Sequence, residues 1–369
     1  MRKTFKYRIF PNKTQRHALQ SSLDACRWVY NETLAIRKDT YKEKQKSLSL
    51  YDTNNFLIQW KKDRPELNNA HSQCLQNAQL RVDLAFKAFF RRVKAKENPG
   101  YPRFKSFDRY DSFTFPQSGF KLIENKLKLS KIGSTKIKLH RPIIGILKTC
   151  TIRSQAGKWY VCFSCEYQNS LLPKSKKAVG IDVGLETFAT FSTKEKIENP
   201  RFFKTDQKAL TKAQRKLSKQ TKGTPERQKA KKVVIRIHER ISNRRHNFIH
   251  QEARKIVNKF GIICIEKLQV KDIMANHTKT FGYKLNKSIA DVAWSGFAQQ
   301  LFFKAEEAGR KVIAVQPRGT SQKCSQCGTV VKKDLSIRWH KCPICGLYIH
   351  RDLNASLNIL ALGMQSLSL

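Results

Sequence analysis

The chain is poor in acid. Asp and Glu number 28 among 369 residues, against 73 Lys and Arg, for a formal net charge of +45. A charge-balanced surface is thereby excluded, because such an excess repels itself unless a polyanion neutralises it. The partner this implies is nucleic acid, bound with a steep salt dependence. A basic surface kept only for solubility is the plainer alternative, but the bias recurs along the whole chain. Long apolar runs are also missing. None approaches the ~20 residues that a membrane span needs, so no membrane partner is expected. The start, Met1-Arg-Lys-Thr-Phe-Lys-Tyr7, lacks the apolar segment of a signal peptide. A soluble, intracellular chain is expected, and most of its ten cysteines then read as thiols or metal ligands. Internal repeats are not seen, and no acidic or low-complexity tail is expected. What is present suffices for folding: 40% of residues are hydrophobic, which excludes general disorder, and the length allows two to four modules.

Along the chain, Lys3 to Phe10 alternates as a strand does, and Pro11-Asn12 ends it. A helix follows, with Leu19, Leu23, Cys26 and Tyr30 at helical spacing. Residues 54–60 read as helical. Residues 72–93 read as an amphipathic helix with Leu75, Leu80, Leu84, Ala85, Phe89 and Phe90 available for packing. Pro99-Gly-Tyr-Pro-Arg-Phe-Lys105 is a rigid loop with an aromatic on either side of Arg103. Short strands then dominate to residue 167, at a spacing that suits a small β-barrel to which the first strand also belongs. Basic side chains interleaved with aromatics fit a surface that tracks phosphates and stacks bases.

A polar linker leads to Ala178-Val-Gly-Ile-Asp-Val-Gly-Leu185, a short buried strand with one carboxylate, Asp182, in its middle. Thr187–Phe191 returns beside it. Residues 201–259 are helical and basic, with 19 Lys and Arg against 4 Asp and Glu, which favours a phosphate-facing surface over a merely solvated one. Thr224 is placed to cap the second helix there, with Pro225 at its first position. Val234, Ile237, Ile241, Phe248, Ile256 and Phe260 supply its apolar stripe. Gly261–Glu266 is a second buried strand, ending in a carboxylate. A helix over 290–309, a strand over 311–315 and a closing helix whose first turn holds Asp352 complete the chain.

Two constellations carry chemistry. Cys324-Ser-Gln-Cys327-Gly and Cys342-Pro-Ile-Cys345-Gly are paired knuckles that supply four thiolates for one structural, tetrahedral zinc. Cys162 and Cys165 are different: three apart on a strand they point to opposite faces, and they read as core thiols. The second constellation is acidic. Asp182, Glu266 and Asp352 each have an ordinary reading: a lysine partner, a solvated strand end, a helix N-terminus. Together they can converge on one sheet edge. Hard oxygen ligands select magnesium or manganese, and two such ions can activate water and stabilise the leaving oxygen of a phosphodiester.

These residues resemble the TnpB (OrfB) nucleases of bacterial insertion sequences, relatives of the type V CRISPR effectors. The resemblance runs nearly end to end. It rests on Tyr7-Arg-Ile-Phe-Pro11, Tyr101-Pro-Arg-Phe-Lys105, Gly157-Lys-Trp-Tyr-Val161 and Gly180-Ile-Asp-Val-Gly184. It continues through Ile265-Glu266, Asp291 with Trp294, Thr320-Ser-Gln322 and Arg351-Asp-Leu-Asn-Ala355. Two positions depart: Gly319 stands where an aromatic is commoner, and Lys267 where an acidic or amide residue is frequent. The resemblance implies a multidomain α/β chain. Its RNase H-like (RuvC) nuclease domain would span residues 175–319 and 349–369, with a four-cysteine zinc ribbon inserted at 320–348. A β-barrel wedge domain (residues 1–10 and 99–170) with a helical recognition insertion (residues 11–98) would precede it. The implied catalytic and Mg2+-binding residues are Asp182, Glu266 and Asp352, for two ions. The implied partners are a guide RNA and double-stranded target DNA, which puts the protein in the cytoplasm at the nucleoid. Gln76 and Asn77, with Arg103, Lys105, Arg244 and Arg245, are candidate nucleic-acid contacts. The expectation is an RNA-guided DNA endonuclease that cuts next to a short motif. The alternatives are a guide-independent transposase using the same triad and a guided repressor with little cleavage.

Overall fold

The computed structural model of the chain describes residues 1–169, 171–281, 284–334 and 337–367. The expected domain limits at Ser170 and Leu369 fall outside them. The chain divides into two compact units, Met1–Gln168 and Asn169–Leu369.

In the first unit, β1 (Arg2–Phe10) buries Phe5, Tyr7 and Ile9 and turns its basic residues outward. Asn12 and Gln15 then form a reciprocal capping box that starts α1 (Lys13–Lys44). Leu19, Leu23, Cys26 and Tyr30 are all buried along that helix. A second capping box, Ser49 with Asp52, starts α2 (Leu50–Asp63), which extends beyond the expected residues 54–60 at both ends. α3 (Ser72–Lys94) corrects the expected packing face. Its buried stripe is Leu75, Ala78, Val82 and Phe86, whereas Leu84 and Phe90 are exposed. The face is set by Asp83, which is buried because Arg37 (3.2 Å) and Lys87 (2.9 Å) neutralise it.

Six strands follow: β2 (Ser112–Phe115), β3 (Phe120–Ile123), β4 (Lys126–Leu129), β5 (Gly133–Lys138), β6 (Ile146–Gln155) and β7 (Lys158–Glu166). β1 lies between β7 and β5, so one antiparallel sheet runs β2-β6-β7-β1-β5-β4-β3. Laid flat, its outermost strands would be about 29 Å apart at the usual spacing. Yet the rings of Phe115 on β2 and Phe120 on β3 are 6.5 Å apart, so the sheet is rolled around its aromatic core. Cys165 is buried on β7 and Cys162 half-buried on the opposite face; burial pushes both thiols up.

The second unit is built on a five-stranded sheet that runs, edge to edge, β10 (Lys196–Glu198), β9 (Thr187–Phe191), β8 (Ala178–Val183), β11 (Ile262–Glu266) and β12 (Lys311–Val315). β8, β9 and β10 form an antiparallel meander. β11 and β12 run parallel to β8. Between β10 and β11 lie α4 (Phe202–Ser218) and α5 (Pro225–Lys259). Thr224 accepts from Arg227 N (3.3 Å) to cap α5. Of the expected α5 stripe, Ile241, Ile256 and Phe260 are buried, but Val234 and Ile237 are only half-buried. Residues 290–309 do not form one helix. α6 (Val270–Phe281) and α7 (Lys284–Val292) were not foreseen, and Ala293 breaks the chain at φ 55° before α8 (Trp294–Ala308). A short hairpin, β13 (Trp339–Lys341) and β14 (Tyr348–His350), leads into α9 (Arg351–Gln365).

The two faces of this sheet carry different helices. Val179, Ile181, Ile263 and Ile265 join Ile256, Phe297 and Leu301 of α5 and α8 in one core. Gly180 and Cys264, one residue out of phase, face α9. The approach there is unusually close. A methyl group on Gly180 would meet the Ser356 carbonyl oxygen and lie 2.7 Å from Leu360 N. A methyl on Gly363 of α9 would lie 2.8 Å from Cys264 Cβ. Backbone cannot yield to such contacts as a flexible side-chain end can. Gly180→Ala is expected to cost about 3 kcal/mol, read as a fall of several degrees in the melting temperature of the full chain. A melting temperature equal to wild type would contradict this packing.

Candidate active site

The register of β8 and β11 sets Ile181 beside Ile265. Asp182 and Glu266 are the next residues on each strand, both on the α9 face, so their backbones are neighbours at about 4.8 Å. Both stand where parallel strands end, the usual place for a site in an open α/β sheet. α9 brings the third carboxylate. Ser356, Ile359 and Gly363 are buried along its sheet-facing stripe, and Asp352 lies one turn before Ser356 on that stripe. His350 caps the helix, its Nδ1 accepting from Asp352 N (3.3 Å) and lying 3.8 Å from the Asp352 carboxylate.

The charges interact. Burial raises the Asp182 carboxyl well above the usual carboxylate range, and repulsion from Glu266 and then Asp352 raises it further; Arg351 and the Val183 amide oppose the shift. Burial also raises Glu266, against a hydrogen bond from the Thr320 hydroxyl. Repulsion of this kind follows from three carboxylates set near one another at the strand ends.

The structure adds residues whose roles sequence alone did not reveal. Thr320 is buried and donates to Glu266. Asn358 Nδ2 donates to the carbonyls of Thr320 and Lys323, both at 2.8 Å. Asn354, fully buried, donates to Lys323 O (2.7 Å) and accepts from Ser325 N (2.9 Å). α9 therefore holds the segment that supports Glu266 and leads into the first cysteine knuckle. Gly319, just before it, has φ 81°, a left-handed conformation that an aromatic would adopt only with strain.

Cys324, Cys327, Cys342 and Cys345 have sulfurs that all lie within 4.8 Å of one another, the one such group of possible metal ligands among the described residues. Cys324 to Cys345 and Cys327 to Cys342 are each 3.5 Å. That is too long for disulfides and close to the ~3.8 Å between sulfurs of a tetrahedral ion with 2.3 Å bonds. Hydrogen bonds from Thr329 pull the Cys327 thiol down while burial and the neighbouring sulfurs push Cys345 up, so the thiols titrate as a group. The three carboxylates are not drawn together that tightly.

The candidate nucleic-acid contacts are dispersed. Gln76 is exposed on α3, and Asn77 accepts from Arg81 Nε (3.2 Å). Arg103 is exposed, while the Lys105 backbone is pinned by Asn31. Arg244 is 3.4 Å from buried Asp206. Arg245 is 2.6 Å from Asp291, whose other oxygen accepts from Phe203 N (2.9 Å). Arg245 thus serves an internal ion pair.

The fold and site define an α/β protein with an acidic cluster at its strand ends and a four-thiol ribbon beside it. The OrfB_IS605 family profile, described as "Probable transposase", matches residues 162–277. A profile for the Cas12f1-like TNB domain matches residues 294–359. A "Putative RNA-guided DNA endonuclease" of Streptomyces pristinaespiralis is 34% identical over 99% of this chain and 90% of its own. The "Putative RNA-guided DNA endonuclease InsQ" of Escherichia coli K12 is 31% identical, over 97% of this chain and 92% of its own. The CRISPR-associated endodeoxyribonuclease Cas12f1 of Sulfoacidibacillus thermotolerans is 26% identical over 76% of this chain and 71% of its own. The chain belongs to the TnpB (OrfB) family.

Because the folded chain holds the Asp182 proton to a higher pH than the unfolded chain does, stability falls as pH rises from the unfolded value near 4. Asp182→Asn should therefore raise the melting temperature of the metal-free protein at pH 7.5 by about 2 °C or more. The gain should shrink towards pH 4, where both side chains are neutral. A lowered melting temperature at pH 7.5 would show that the carboxylate is structurally compensated.

Proposed function

We propose that this protein is an RNA-guided, magnesium-dependent DNA endonuclease encoded by a transposable element. The observation that carries the reading is the electrostatic convergence of Asp182, Glu266 and Asp352 from two adjacent strand ends and one helix. The strand order, with an antiparallel meander followed by two parallel strands, supports an RNase H-like (RuvC) assignment for residues 175–319 and 349–369. The rolled sheet and the helices after β1 support a barrel wedge (residues 1–10 and 99–170) with a recognition insertion at 11–98. The close thiols support zinc in the ribbon at 320–348.

Asp182, Glu266 and Asp352 are hard oxygen donors fit to hold magnesium. Magnesium there would supply activation of water and charge stabilisation of the leaving oxygen in phosphodiester hydrolysis. Thr320 orients the Glu266 carboxylate, and the His350 cap fixes the turn that presents Asp352. Arg351 moderates the charge at Asp182. The basic helices α4 and α5 face the phosphates of a guide–target heteroduplex, and base pairing with the guide selects the sequence. Two relatives of nearly the same length carry RNA guidance in their names, which disfavours the guide-independent transposase. The intact acidic triad disfavours a guided repressor.

Purification without added nucleic acid should yield a specific co-purifying RNA, and the complex should cut a plasmid bearing the matching target only with Mg2+ present. Asp182→Ala should reduce cutting by at least a thousandfold while RNA and target remain bound. An RNA-free preparation that cuts, or an Asp182→Ala variant that cuts, would sink the reading. Metal analysis should find one zinc per chain, lost on Cys342→Ser; wild-type protein folded without zinc would refute the ribbon assignment.

A further inference from the structure

The hairpin between the second cysteine knuckle and α9 carries a surface that the cleavage chemistry does not use. β13 and β14 pair antiparallel, Trp339 opposite His350, His340 opposite Ile349 and Lys341 opposite Tyr348. Alternation sends His340, fully buried, and Ile349 to one face. Trp339, Lys341, Tyr348 and His350 share the other. There the Trp339 and Tyr348 rings stack at 5.0 Å with 8° between their planes. They remain 50% and 60% exposed. A cross-strand aromatic pair accounts for the rings touching each other. It does not account for leaving so much of both rings in water.

The surroundings indicate what would cover them. Lys341 shares the rings' face of the hairpin, and Arg338 directly precedes Trp339. Exposed flat rings among cations are the chemistry that takes unpaired bases, since stacking needs a free base face and the cations take the phosphates. A duplex offers no such face. The surface is also joined to the acidic cluster through His350. The His350 ring stands edge-on to Trp339 at 5.7 Å, and its Nδ1 is 3.8 Å from the Asp352 carboxylate. Arg338, beside Trp339, reaches Glu186, four residues beyond Asp182, at 3.0 Å. The path through His350 spans about 10 Å, about three nucleotides of stacked strand at 3.4 Å each.

We propose that Trp339 and Tyr348 form a stacking platform for an unpaired base of the DNA strand being cut, within about three nucleotides of the phosphate that meets Asp182, Glu266 and Asp352. This rests on the nuclease reading for where the phosphate lies. The platform itself is defined by the exposed, stacked rings with Lys341 on their face and Arg338 beside Trp339. It gives a preference for single-stranded DNA without a preference for sequence, because every base has a face to stack.

The test uses the full chain with its co-purified RNA and the matching target DNA. 5-Iododeoxyuridine is placed at successive positions around the cut, and the Asp182→Ala variant keeps the strand intact during irradiation. Crosslinks should map to Trp339 or Tyr348 from positions within about three nucleotides of the cut. In cleavage assays Trp339→Ala should slow cutting about tenfold or more, and Trp339→Phe should restore most of the rate. An abasic site at the crosslinking position should slow the wild type by a similar factor and the Trp339→Ala variant by no further factor. The abasic substrate needs no protein change, so the test survives a variant that fails to fold. Independent, multiplying losses would overturn the proposal. So would crosslinks confined to other segments, or crosslinks from iodouridine in the RNA in place of the DNA. Crosslinks at Trp339 without any cutting by wild-type protein would instead retain the platform and overturn the nuclease reading.

Discussion

The close contact of α9 with the sheet is what the second unit depends on. Gly180 on the strand and Gly363 on the helix each remove the one side-chain atom that would hold the two apart. They lie at different points along the interface, so the helix is set at short range over much of its length. Asp182 is two residues beyond Gly180 on the same strand face. Asp352 is one helical turn before Ser356, whose carbonyl meets Gly180. The contact that buries Ile359 against Cys264 and Val315 is therefore also the contact that brings two carboxylates from opposite ends of the unit together.

That arrangement has an electrostatic cost, and the sheet confines it to one face. The residues of β8 and β11 that face α5 and α8 are branched and apolar, Val179, Ile181, Ile263 and Ile265. The alternate positions run Gly180 to Asp182 and Cys264 to Glu266. One face supplies ordinary hydrophobic stabilisation. The other spends part of it on small residues and like charges that a fold selected for stability alone would avoid. Arg351 offsets part of the shift at Asp182, and Thr320 offers Glu266 one hydrogen bond. The net effect still raises the carboxyls of Asp182 and Glu266.

Much of this was legible because the relevant signals are local. An apolar run holding or ending in a carboxylate marks Asp182 and Glu266, and the cysteine spacing marks the four thiols. That the two carboxylates share a face depends on the register of β8 against β11, a pairing across some eighty residues that no local pattern encodes. The face of α3 was misjudged for a related reason: Asp83 is buried by Arg37, on a different helix, whereas a hydrophobic stripe counts apolar residues only. Val234 and Ile237 of α5 were expected inside, but that half of the helix lies outside the core formed on the sheet. Thr320, Asn354 and Asn358 have no periodic signature at all. Their significance lies in the backbone groups they bond, and those belong to other segments.

The asparagines explain why a ribbon can be inserted in the middle of a catalytic fold without loosening it. The chain leaves β12, makes the ribbon and returns as α9, and both β12 and α9 are fixed on the sheet. Asn354 and Asn358, one turn apart on α9, bind the backbone of Thr320, Lys323 and Ser325 at the ribbon's entrance. The entrance is thus tied to the same helix that forms the exit. Any rocking of the ribbon at its base must break buried hydrogen bonds to Asn354, each costly to leave unmade, and must move Thr320 off Glu266. The thiol cluster and the carboxylate cluster are consequently not independent sites that share a chain. Two amide side chains and one hydroxyl connect the first to the second.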